Sequence, residues 1–82
     1  MDKPLIVVNF KTYETAMGDS ALTLAKAMDN FTDRDFRMIA VVSAFDLSTI
    51  SNSVSSVEVW SQHLDPVGKG SHTGWLEPDL AL

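Results

Sequence analysis

Three short apolar runs, each followed by polar or helix-forming chain, leave few folds open to this sequence. Leu5-Ile6-Val7-Val8, Arg37-Met38-Ile39-Ala40-Val41-Val42 and Val57-Glu58-Val59-Trp60-Ser61-Gln62 are rich in β-branched residues and have strand length. The first is near-continuously apolar behind Pro4 and reads as a strand buried on both faces. Between the first and second runs, Ala21, Leu22, Leu24, Ala25, Ala27 and Met28 recur at helical spacing, with Asp19 or Ser20 as the expected N-cap and an end near Asp29-Asn30. Residues 46–52, with Leu47 and Ile50 turned inward, read as a second, shorter helix. The order strand, helix, strand, helix, strand is that of an α/β protein with a parallel sheet and helices packed outside it. Such a run normally continues. Here Pro78 opens what reads as the first turn of a third helix, and the sequence stops at Leu80-Ala81-Leu82, so truncation of a larger fold is the expectation.

Size sharpens that expectation. A chain of 82 residues buries only roughly 60–65% of the surface that it exposes when unfolded. It has no cysteine for disulfides, and its two histidines make no convincing zinc site. With 45% hydrophobic residues it is nonetheless packed protein, and it needs more chain or partner chains. A net charge of −5, spread along the chain, argues against nucleic-acid binding. The opening Met1-Asp2-Lys3-Pro4 lacks a signal-peptide layout, and no apolar run is long enough for a membrane helix. A cytoplasmic protein without membrane partners is expected.

Ligand-binding groups of α/β proteins gather at the carboxyl ends of parallel strands. Asn9-Phe10-Lys11, Ser43-Ala44-Phe45 and the long stretch from His63 to Glu77 hold that position. An ammonium at Lys11 can meet a phosphate or an oxyanion formed during reaction, and Asn9 on the same rim can donate an amide N–H. A solvated lysine just past a strand is the alternative. Gly68-Lys69-Gly70-Ser71-His72-Thr73-Gly74 lacks the spacing of a nucleotide phosphate loop and reads as a long connection with glycines at turns. His63, Asp65 and His72 match no metal-ligand pattern, so no metal is assigned. Trp60 reads as core, and Trp75, on a loop, as an interface anchor.

Two of these segments carry a resemblance. Val7-Val8-Asn9-Phe10-Lys11-Thr12-Tyr13 resembles the first strand and loop of the triosephosphate isomerases in their archaeal version. Ser61-Gln62-His63-Leu64-Asp65-Pro66, followed by Gly70-Ser71-His72-Thr73-Gly74, is similar to that family's third strand and long third loop. The match runs from Pro4 to about Pro78, at a spacing that suits two helices and one strand between the motifs. It departs at Val42-Ser43-Ala44-Phe45-Asp46-Leu47, where the family usually has a proline-containing turn about one residue longer, and at Ser61, where alanine is common.

The resemblance implies the βαβαβ beginning of a (β/α)8 TIM barrel, covering residues 1–82 as a partial domain that ends after the third strand and its loop. It implies interconversion of dihydroxyacetone phosphate and glyceraldehyde 3-phosphate without a cofactor, in glycolysis and gluconeogenesis. Lys11 would be the catalytic cation and, with Asn9, would bind substrate. The family's histidine and glutamate belong after the fourth and sixth strands, which this sequence does not contain, so the chain alone is expected to be inactive. Thr73 and Trp75 would face another subunit of a homo-oligomer, a dimer or tetramer. The competing readings are an independent half-barrel that binds or self-assembles, and a different phosphate-handling barrel enzyme.

Overall fold

The computed structural model describes residues 4–31 and 35–82. The opening residues Met1 to Lys3, read above for a leader layout, lie outside the described residues. Strands β1 (Leu5–Asn9), β2 (Arg37–Val42) and β3 (Glu58–Ser61) form one parallel sheet in that order. Helix α1 (Asp19–Asp29) links β1 to β2, and α2 (Leu47–Ser51) links β2 to β3. Short 3-10 helices at Glu14–Ala16 and Pro78–Ala81 complete the chain, the second opened by Pro78 as expected. Register runs Val8 to Ala40 to Val59 and Asn9 to Val41 to Trp60, so side chains of matching parity line up across the three strands.

One face of this sheet is covered. Phe10, Ala40, Val42 and Val57 pack with Ala21, Ala25 and Met28 of α1 and with Ile50 of α2. The alanines at 21, 25 and 40 leave room for helix and sheet to approach closely, and the fully buried Phe10 contributes about 1.5–3 kcal/mol. Leu24, placed in the apolar stripe by its spacing, is half-buried beside that core, as is Leu47.

The other face is bare, and this corrects two expectations. Leu5 and Val7 are 48% and 50% exposed, and Ile6 at the start of the strand 40%, so β1 is not buried on both faces. Trp60, expected in the core, is 47% exposed. Alternation along the strands puts Leu5, Val7, Ile39 and Trp60 opposite the helices, and among the described residues no element packs over them. Only Ile39, in the central strand, is sheltered by its neighbours. On this same face Arg37 donates from Nε and Nη2 to Glu58 Oε2, at 2.8 and 2.6 Å, across the amino-terminal end of the sheet.

The expected cap of α1 also moves. Gly18 is the N-cap, at φ +58°, where a residue without Cβ avoids strain. Its N–H donates to Asp46 Oδ2 at 3.1 Å, which ties the start of α1 to the residue before α2. Asp19 is instead inside the first turn, where its charge suits the helix dipole. At the other end of α1, Asp29 accepts from the N–H groups of Ser55, Ser56 and Val57, the three residues that lead into β3. These bonds, led by that from Val57, hold its carboxyl below the usual carboxylate range.

Candidate functional site

The carboxyl ends of the three strands converge on Lys11. The ladder continues one residue past β1 through Phe10, whose N–H donates to the Val41 carbonyl at 2.9 Å. With the Phe10 ring fully buried below, the chain turns sharply at Lys11, at φ +56°. Among the described residues no other non-glycine has a positive φ. A side chain in that region costs about 1–3 kcal/mol and persists only where its surroundings hold it.

Two side chains do the holding. Asn9 Oδ1 accepts the Lys11 N–H at 2.9 Å, which leaves the NH₂ end of the amide turned the other way. Gln62 Nε2 donates to the Lys11 carbonyl at 2.8 Å and to the Val41 carbonyl at 3.4 Å. The Gln62 N–H donates in turn to the Val42 carbonyl at 3.1 Å, so this arm is rooted in the sheet. Lys11 and Asn9, named from the sequence, are thus brought together at the rim, both exposed. The sequence marks Gln62 only as the end of the third strand run and part of a family motif, with no role of its own. Its usable signal was parity: one step beyond β3, it shares the face and rim of Asn9.

The long connection after β3 is closed at its base by Asp65. The Asp65 N–H donates to the Leu76 carbonyl at 2.8 Å, and the Leu76 N–H returns to Asp65 Oδ2 at 2.7 Å. Asp65 Oδ1 takes His63 Nε2 at 2.8 Å. The Leu76 N–H foremost, and then His63, hold the Asp65 carboxyl below its ordinary range. This clamp, which no spacing in the sequence announces, closes residues 66–75 into an arm. Gly74 sits in the arm at φ +86°, and the His72 and Trp75 rings meet at 6.2 Å and a 39° tilt.

Thr73 and Trp75 are both exposed on this arm, and no hydrogen bond joins Thr73 to Asn9 or Lys11 within the chain. Phe45, in the connection after β2, is 97% exposed and borders the groove between that connection and the arm, with His63, Asp65 and Trp75. Among the described residues no three His, Cys, Asp or Glu groups are placed to hold a metal ion. Nor is any described helix long and apolar enough to cross a membrane.

A sequence model of the triosephosphate isomerase family matches residues 4–81. Curated relatives named triosephosphate isomerase include those of Methanothermus fervidus, 40% identical over 90% of this chain, and Archaeoglobus fulgidus, 40% identical over 93%. That of Metallosphaera sedula is 37% identical over 98%. The chain spans about a third of the length of these relatives: 33%, 34% and 35%. The three parallel strands, with helices between them on one face, correspond to the amino-terminal βαβαβ part of a TIM barrel. On both the match and the fold, this chain belongs to the triosephosphate isomerase family.

Proposed function

We propose that this chain supplies the first three strands of a cytoplasmic triosephosphate isomerase, and with them part of its substrate site. The observation that carries this reading is the clamped, left-handed Lys11 at the strand carboxyl ends. Isomerisation of dihydroxyacetone phosphate removes a proton from the carbon beside the carbonyl, leaves an enediolate, and returns a proton to the neighbouring carbon. No electrons leave the substrate, so the reaction needs no redox cofactor. The negative charges to be met are those of the phosphate and of the enediolate oxygen. Lys11 supplies a fixed positive charge to both, and the NH₂ group of Asn9 supports the substrate oxygen. This enzyme family is a standard example of a glutamate base paired with a neutral histidine electrophile. The family resemblance assigns both to later strands, so they are not drawn from these residues.

The arm would serve a second copy. Asp65 holds its base, and the apolar Trp75 and short polar Thr73 stand exposed beyond it. In this reading Thr73 of one subunit reaches Asn9 and Lys11 of another, in a homo-oligomer.

The test joins residues 4–81 to the remaining two thirds of the Archaeoglobus fulgidus relative. The expected product is a folded oligomer that interconverts the two triose phosphates. In it, Thr73→Arg sets a cation against a lysine and should shift light scattering toward smaller species while activity falls. A folded protein without turnover refutes the isomerase reading, and lost activity in an intact assembly refutes the interface.

The same full-length protein should report the Asp29 link. Its carboxyl has a lowered pKa in the folded state, so the link contributes its full stability above the ordinary value of 3.8. That contribution is lost as pH falls through the lower, folded value. Asp29→Asn should therefore be less stable at neutral pH and show a shallower loss of urea midpoint in acid. A variant with the wild-type acid limb would remove Asp29 from the account.

A further inference from the structure

We propose that Gln62 is a positioning residue for Lys11, and that activity depends on it through the direction in which it aims the ammonium. The inference rests on the substrate-binding role given to Lys11 above. Lys11 lies beyond the end of β1, where the regular strand pairing no longer dictates backbone angles. Its two peptide groups are nevertheless tied separately. The amide before its Cα is fixed by Asn9 Oδ1 at 2.9 Å, and the carbonyl after it by Gln62 Nε2 at 2.8 Å. The first bond restrains rotation about φ and the second about ψ. Together they set the Cα–Cβ direction, from which the whole lysine side chain projects.

The two ties differ in origin. Asn9 is two residues from Lys11, at the end of the same strand. Gln62 is 51 residues away and reaches over the end of the central strand, with its own N–H on the Val42 carbonyl and its side chain also near the Val41 carbonyl at 3.4 Å. It therefore ties Lys11 to β2 and β3, whereas Asn9, the last residue of β1, ties it to its own strand. Gln62 is half-buried, and its side-chain NH₂ donates to two main-chain carbonyls. A donor is required there: glutamate at neutral pH would set a carboxylate against two carbonyl oxygens, and methionine fills the space but donates nothing.

A residue that only stabilises the loop would lower activity by lowering the folded fraction. A residue that acts by aiming Lys11 lowers activity only while Lys11 is there to be aimed. A double-mutant cycle separates the two. In the full-length isomerase carrying this segment, Gln62→Met is expected to reduce kcat/KM, per folded molecule, by roughly 10–100-fold, the scale of a misplacement of about 1 Å. In the Lys11→Met background the same change should cost nothing further. Wild-type kcat/KM in folded Gln62→Met, or an undiminished loss in the Lys11→Met background, overturns the proposal. If Gln62→Met does not fold, Gln62→Asn, which keeps a neutral donor at shorter reach, takes its place in the cycle with the same criteria. A large loss in Lys11→Met beside a silent Gln62 variant overturns this proposal alone, whereas full activity in Lys11→Met overturns the reading of Lys11 as well.

Discussion

Lys11→Met in the full-length isomerase should lower kcat/KM by roughly 10²–10³-fold, the usual scale for removing one preorganised group from a developing oxyanion. The melting temperature should hardly move. Methionine keeps most of the stem, and the side chain is exposed, so no core contact is lost. Neither tie on this residue uses its side chain: Asn9 takes the N–H and Gln62 the carbonyl. The left-handed backbone is as demanding of methionine as of lysine, so strain cancels between the two proteins. Kinetics and a thermal melt on the same preparation check this. An active variant returns Lys11 to the solvated lysine that its position alone allowed. A large fall in melting temperature would mean that the side chain serves the fold.

The 82 residues produced by themselves should show no turnover of glyceraldehyde 3-phosphate above buffer. A positioned base is commonly worth about 10²–10⁴-fold, and the resemblance puts that base on a later strand. They should also fail to melt as a cooperative monomer. Among the described residues the sheet has helices on one side only, and its other face presents Leu5, Val7 and Trp60 to water. Among the described residues nothing pairs with the outer edges of β1 and β3. Phe45, Trp75, Leu80 and Leu82 add further exposed apolar surface. A broad transition with dye binding, or aggregation, is the expected result. A sharp monomeric melt would support the independent half-barrel. Turnover abolished by Lys11→Met would show that the site is more complete than the family pattern implies.

What the sequence encodes legibly is local or periodic. The β-branched runs fall at β1, β2 and β3, with the ends of β2 at Arg37 and Val42 as expected. The apolar spacing found α1 and its end at Asp29, and Pro78 marked the last turn. The motif around Asn9 and Lys11 named the residues that meet at the rim, because nearness in sequence there is nearness in space.

The failures were of another kind. Leu5, Val7 and Trp60 looked like core because β-branched and aromatic residues belong in buried strands. Whether a strand face is buried depends on what lies over it, and hydrophobic runs do not encode their cover. Asp19 and Ser20 looked like caps by residue type, but Gly18 takes the place at φ +58°, with its N–H on the carboxylate of Asp46, 28 residues on.

The sequence by itself determined the order of elements, the parallel sheet and the pair Asn9 and Lys11. Tertiary structure alone decided what holds that pair and the loops around it. Gln62 reaches Lys11 over 51 residues, Asp29 gathers the amides of 55–57, and Asp65 closes onto Leu76 across 11. Each is a polar side chain that satisfies main-chain groups where regular pairing ends. Such bonds leave no periodic trace in sequence, because their partners are set by where the packed strands and helices bring the chain.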